Sequence, residues 1–247
     1  MKSALVFIHG LGGSGQIWQD QMAHFSADRP VLAWDAPGYE GKPLLSPLTF
    51  ETLSDVLLAD MDAAGIDRAV LVGHSLGGML AQVVVAQAPE RVAGLALVST
   101  SPAFGDPKGE FQQRFLRERL DPLDKGLSMA ELAGPATSAM LGANPDEQGV
   151  ARAERALAAT RPETYRAYLD LITRFDARAT LATIACPALV IVGEHDKASP
   201  PIVSEKMAQR IPQGRYVMVP AAGHMLPFEQ PAIFNAALQA FLDENGL

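Results

Sequence analysis

Gly73-His74-Ser75-Leu76-Gly77, followed at once by Gly78, is the stretch on which the reading of this chain turns. It closes an apolar run, Ala69 to Val72, and opens a helical pattern that continues to residue 87, so it marks a sharp strand-to-helix turn. Glycine suits positions 73 and 77, because strand and helix close on each other there and leave no room for side chains. A serine at the centre of such a turn presents its oxygen outward over the helix N-terminus. Ser75 is therefore the candidate nucleophile.

A serine hydroxyl is a weak nucleophile near neutral pH, so it needs a base, and the base needs an acid to orient it. After a serine placed this way, acid and then histidine are expected behind later strands. Leu189 to Gly193 reads as one such strand and runs into Glu194-His195-Asp196; Tyr216 to Pro220 reads as the next and runs into Ala221-Ala222-Gly223-His224. His224 is the expected base. Strand-loop register favours Asp196 as the acid, with Glu194 its competitor. Of the other histidines, His9 reads as ordering an early loop, His24 as surface, His74 as a neighbour of the nucleophile, and His195 as following the wrong strand. Acyl chemistry also needs two backbone donors for an oxyanion. The Leu76 amide is one; the Leu11 amide, in the loop His9-Gly10-Leu11-Gly12-Gly13-Ser14 after the apolar strand Ala4 to Ile8, is the other.

Outward from these points, strand-like and helical runs alternate: strand 4–8, helix 15–27, strand 30–34, helix 50–64, strand 69–73, helix 76–87 and strand 92–98. This is the rhythm of a mostly parallel α/β sheet. It stops over 102–184, where only helical spacing recurs, and resumes with strand 188–193, helix 201–210, strand 215–219 and helix 231–244. The expected organisation is a core formed by 1–101 and 185–247, with 102–184 inserted as a helical cap. Met79 and Met225, beside catalytic positions, and Phe104 and Met140, in the cap, are the candidate substrate contacts. Nine arginines between Arg114 and Arg178 include a candidate carboxylate clamp.

Composition agrees with small-molecule chemistry. The chain has 247 residues, 48% of them hydrophobic, and a formal net charge of −8 with no cluster of Lys and Arg, which argues against a nucleic-acid or anionic-membrane surface. The one cysteine, Cys186, precludes an internal disulfide and offers no metal-site spacing, as suits a reducing, cytoplasmic setting. Nothing at the N-terminus reads as a secretory signal, and no apolar run approaches the ~20 residues that span a bilayer.

With these motifs in place, the chain resembles the α/β-hydrolase family along nearly its whole length. The matching segments are His9 to Ser14, Trp34-Asp35-Ala36-Pro37-Gly38-Tyr39, Gly73 to Gly78, Ala88-Pro89-Glu90-Arg91-Val92, Gly193 to Asp196 and Gly223-His224, in that order. Within the family it looks most like the 3-oxoadipate enol-lactonase group and its esterase relatives, on Ser75 to Met79, Pro162-Glu163-Thr164-Tyr165 and His224 to Pro231. The resemblance implies the α/β-hydrolase fold and a Ser75, Asp196, His224 triad acting on a small-molecule ester or lactone, with no cofactor or metal. It also favours Asp196 over Glu194. The family pattern has further strands before the one leading into the His-Gly loop; here that strand comes almost at once, so the sheet is expected to be shortened to roughly six strands. Its edge fits either a monomer or a homodimer. Relatives with an aspartate nucleophile are disfavoured by Ser75. Carbon-carbon bond hydrolysis of ring-fission products keeps the same triad and stands as the alternative, and from a different class a ligand-sensing protein reusing the fold.

Overall fold

The apolar runs read above become strands, the four central ones buried on both faces and the two edge strands partly exposed. In the computed structural model, which describes residues 2–247, β1 (Ala4–Ile8), β2 (Val31–Trp34), β3 (Ala69–His74), β4 (Val92–Val98), β5 (Ala188–Gly193) and β6 (Gly214–Val219) form one sheet in the order β2-β1-β3-β4-β5-β6. Every neighbouring pair is parallel. Parallel strands need crossovers, and the helices that supply them cover both faces of the sheet, which is why β1, β3, β4 and β5 are buried along their whole length. Alternate side chains go to opposite faces: Val6, Ile8, Leu71 and Leu97 enter one core cluster, Leu5, Phe7, Val72 and Val98 the other. The first face is closed by α2 (Phe50–Ala63), α3 (Leu76–Gln87) and α8 (Pro201–Arg210); the second by α1 (Gln19–Phe25), α9 (Leu226–Glu229) and α10 (Pro231–Glu244).

Between β4 and β5 the chain makes α4 (Glu110–Asp124), α5 (Met129–Ser138), α6 (Glu147–Ala159) and α7 (Pro162–Thr173). This block has a small apolar cluster of its own, including Leu123, Leu132, Leu157 and Tyr165. Its ends meet where Ala103 bridges Asp176, with the Phe104 amide donating to Phe175 O at 3.0 Å and the Ala177 amide to Pro102 O at 2.8 Å.

The helix expected over 15–27 differs in detail. Gly15–Trp18 is a single 3-10 turn, and α1 begins at Gln19 and ends at Phe25. The Gly15 amide donates to Asp35 Oδ1 at 2.6 Å, which ties the start of this segment to the turn after β2 and sets its first turn from outside the helix. No helix among the described residues is long and apolar enough to cross a membrane.

Candidate active site

The turn after β3 holds Ser75 at φ 53° and ψ −117°, a backbone conformation that a non-glycine residue adopts only under constraint. Its neighbours supply the constraint. A Cβ on Gly77 would be driven into the carbonyl oxygens of Ile8 and His9, so only glycine lets α3 start this close to β1. The Ser75 amide donates to Val98 O at 2.8 Å, and the Thr100 hydroxyl donates to Ser75 O at 2.6 Å, clamping the turn to β4 and the loop beyond it.

His224 comes to Ser75 from the loop after β6. Its Nε2 lies 3.1 Å from Ser75 Oγ, and its Nδ1 lies 3.0 and 2.9 Å from the two oxygens of Asp196. A carboxylate accepts and cannot donate, so this contact fixes the proton on Nδ1 and leaves the Nε2 lone pair facing the serine hydroxyl. Asp196 is 3% exposed, and its Oδ1 also accepts from the amides of Ala198 and Ser199 at 2.9 and 2.8 Å. Glu194 is exposed and instead accepts from the Ala221 amide, so of the two carboxylates only Asp196 meets the imidazole.

Among the described residues, neither the Leu11 nor the Leu76 amide donates to a protein acceptor. Leu76 is the first residue of α3, where the amide has no partner within the helix. The loop carrying Leu11 runs alongside the serine, since a Cβ on Gly10 would sit 3.1 Å from Ser75 Cβ. His9 holds that loop: its Nδ1–H donates to Gly10 O at 2.8 Å while Nε2 accepts from the Ala36 amide at 3.1 Å. Burial lowers the pKa of His9 and so favours the neutral ring this arrangement needs. His74 is buried beside His224, and burial followed by repulsion from that second imidazole lowers its pKa to about 3. It is neutral, and its Nε2–H donates to His224 O at 2.8 Å.

The four candidate substrate contacts fall on two sides. Met79 and Phe104 belong to the cluster on the α2/α3 face, Phe104 packing edge-on against Phe115; Met140 and Met225 pack with the opposite cluster. Most of the arginines from 114 to 178 are held by acids, among them Arg152 by Asp20 and Arg166 by Asp124, whereas Arg119 is half-buried with its guanidinium 3.6 Å over the Phe115 ring. Two surface clefts, about 480 Å³ beside Arg152 and Arg155 and about 130 Å³ beside Gly38 and Thr160, have neither Ser75 nor His224 on their walls.

One residue in contact with this loop has no counterpart in the sequence reading. Glu229, 2% exposed, accepts the amides of Gly223 and Met225, which flank His224. The only sequence signal is one charge in an otherwise apolar stretch, Met225 to Phe228 and beyond.

Comparison with known proteins converges on one family. The model described as "Alpha/beta hydrolase family" matches residues 5–237. A pimeloyl-[acyl-carrier protein] methyl ester esterase of Neisseria meningitidis is 29% identical over 256 residues, covering 97% of this chain and 92% of that protein. The crystal structure of the enol-lactonase from Burkholderia xenovorans superposes with a TM-score of 0.85 at 28% identity, covering 98% of this chain and 92% of that one. Polyketide synthase ThaQ of Burkholderia thailandensis is 30% identical over 246 residues, and there the chain spans 12% of the relative's length.

Proposed function

The chain belongs to the alpha/beta hydrolase family, and from that premise we propose that it is a serine hydrolase of small carboxylic esters or lactones, working through an acyl-enzyme on Ser75. The observation that carries this reading is the single line of contacts from Asp196 through His224 to Ser75, at 2.9 and 3.1 Å, on a serine held in a strained turn. An esterase and an enol-lactonase among the similar proteins support carboxylic acyl groups as the substrate class.

In this mechanism the Ser75 oxygen attacks the acyl carbon as its proton passes to His224 Nε2, and the Asp196 carboxylate stabilises the imidazolium that results. The negative charge on the carbonyl oxygen falls to the amides of Leu11 and Leu76, an effect worth about 3 kcal/mol per donor. Collapse of the tetrahedral species expels the alcohol oxygen, which takes the proton back from His224. Water, deprotonated by the same imidazole, then attacks the acyl-enzyme and releases the acid and Ser75. The helices of residues 102–184 act as the cap that selects the acyl group.

A panel of p-nitrophenyl esters of increasing acyl length, an enol-lactone and a vinylogous ring-fission diketone, run with wild type and Ser75→Ala, tests the proposal. Ester or lactone turnover that falls by about four orders of magnitude or more in Ser75→Ala is the expected result. Turnover that survives without Ser75, or cleavage of the diketone alone, overturns it.

A further inference from the structure

Resting on the serine hydrolase reading, we propose that Glu229 is a positioning residue for His224, a buried carboxylate around which the peptides on both sides of the base are folded. Glu229 Oε2 accepts the Gly223 amide at 3.0 Å and Oε1 accepts the Met225 amide at 2.9 Å, so the residues before and after His224 hang from one side chain. A third amide, Gly142, donates to Oε2 at 2.6 Å. Gly142 belongs to the helical block, in the link between α5 and α6, 87 residues away in sequence.

Glu229 is 2% exposed, and among the described residues it is met by backbone N–H groups and by no cation. The close approach this requires is built with glycine on both strands of chain. A Cβ on Gly223 would be driven into Met140 O and the Gly142 amide, and a Cβ on Gly142 into Ala221 O. The His224 peptide itself is fixed at its two remaining polar groups, the amide donating to Met140 O at 2.8 Å and the carbonyl accepting from His74 Nε2 at 2.8 Å. With Glu229 in place, the Gly223, His224 and Met225 amides and the His224 carbonyl all have fixed partners. The imidazole is thereby aimed by the backbone before Asp196 contributes orientation through the ring.

The same three amides explain why a carboxylate, and no isostere, stands here. All three groups pointing at the side chain are donors. A glutamine would meet them with one oxygen and an NH₂ that also donates, leaving at least one buried amide facing a donor. In Glu229→Gln the loop is expected to shift rather than unfold, moving Nε2 out of line with Ser75 Oγ by an amount that costs rate and leaves binding alone.

The test compares wild type with Glu229→Gln by steady-state turnover of p-nitrophenyl butyrate, by thermal unfolding, and by the downfield proton resonance of the His224 Nδ1–H···Asp196 hydrogen bond. The expected result is kcat lower by about tenfold or more with KM within about twofold, in a folded variant whose downfield resonance is lost or broadened. If Glu229→Gln does not fold, Glu229→Asp asks the same question, since it keeps the charge and shortens the reach. The proposal is overturned if kcat stays within twofold of wild type, or if activity falls only in step with the folded fraction while the resonance remains in place. The resonance needs no substrate. A wild type without Ser75-dependent turnover would therefore sink the hydrolase reading, while the resonance comparison still decides for or against Glu229.

Discussion

His74 and Asp196 show how single residues set the state of the imidazole between them. Asp196→Asn keeps the shape of the acid but presents an NH₂ to Nδ1, which favours the tautomer with its proton on Nε2, facing Ser75. Turnover in that variant is expected to fall roughly a thousand- to ten-thousand-fold with little change in KM, as steady-state kinetics on the best ester of the panel would read. His74 acts on stability instead. Its pKa is about 3 in the folded chain against 6.5 for the free side chain, so between these values the unfolded chain binds the extra proton. The stabilisation is complete above about pH 6.5 and is lost as pH falls toward 3, at no more than about 1.4 kcal/mol per pH unit. His9, with its pKa also lowered by burial, adds to the loss in the same direction. His74→Gln retains an N–H for His224 O and does not titrate, so it isolates one of the two. Urea unfolding near pH 7.5 and near pH 5 is expected to show a smaller drop in the variant than in wild type, by up to about 2 kcal/mol; equal drops would mean that His74 is not the buried neutral group described above.

At the scale of elements, α7 joins the helical block to the sheet. Tyr168 OH donates to Pro37 O at 2.7 Å, Thr164 Oγ1 donates to Gly38 O at 3.2 Å, and the Tyr168 ring packs edge-on against Tyr39, so the helix is docked on the turn after β2. Tyr168→Phe leaves Pro37 O buried without its donor and is expected to lower stability by about 1–2 kcal/mol, measured by denaturant midpoint, with the slope unchanged. Elements of this kind were legible where the local pattern is strong. The strands β1, β4 and β5 and the helices α3, α8 and α10 fall where apolar runs and their proline and glycine boundaries place them. Within 102–184, where helical spacing alone recurs, Tyr165, Tyr168, Leu169 and Ile172 fall on one side of α7, and all four are buried. Which partner each face meets was not legible, because Pro37 and Gly38 lie more than a hundred residues away. The same limit hid Glu229: its function in the fold depends on Gly142 arriving beside Gly223, and no periodicity in either stretch encodes that meeting. Ser75, Asp196 and His224 escaped the limit because each lies in the turn or loop that follows its own strand, and parallel topology gathers those strand ends along one edge.

For the whole molecule, the question is whether the sheet with its flanking helices and the helices between β4 and β5 unfold as one body. The helices α4 to α7 have their own cluster around Leu132, Leu157 and Tyr165, which on its own would favour a separable unit. Against this, Tyr168, Leu171 and Ile172 of α7 and Phe175 just beyond it lie in the same cluster as Val6, Leu71 and Leu97 of the sheet, and Ala153 of α6 packs with the opposite cluster. Glu229 adds a polar tie between Gly142 and the loop after β6. Unfolding the four helices alone would strip the shared cluster of Tyr168, Leu171, Ile172 and Phe175 together, at about 1.5–3 kcal/mol for each large apolar side chain, a sum comparable to the whole stability of a typical domain. One transition is therefore expected. Trp18 and Trp34 both lie outside 102–184, so their fluorescence reports the core, whereas far-ultraviolet dichroism also reports α4 to α7. On heating, the two signals are expected to change with the same midpoint, and the calorimetric enthalpy to equal the van 't Hoff enthalpy. Dichroism falling well before fluorescence would show instead that the helical block melts on its own, and that the contacts of α7 with the turn after β2 and the shared apolar cluster are too weak to make the two parts one.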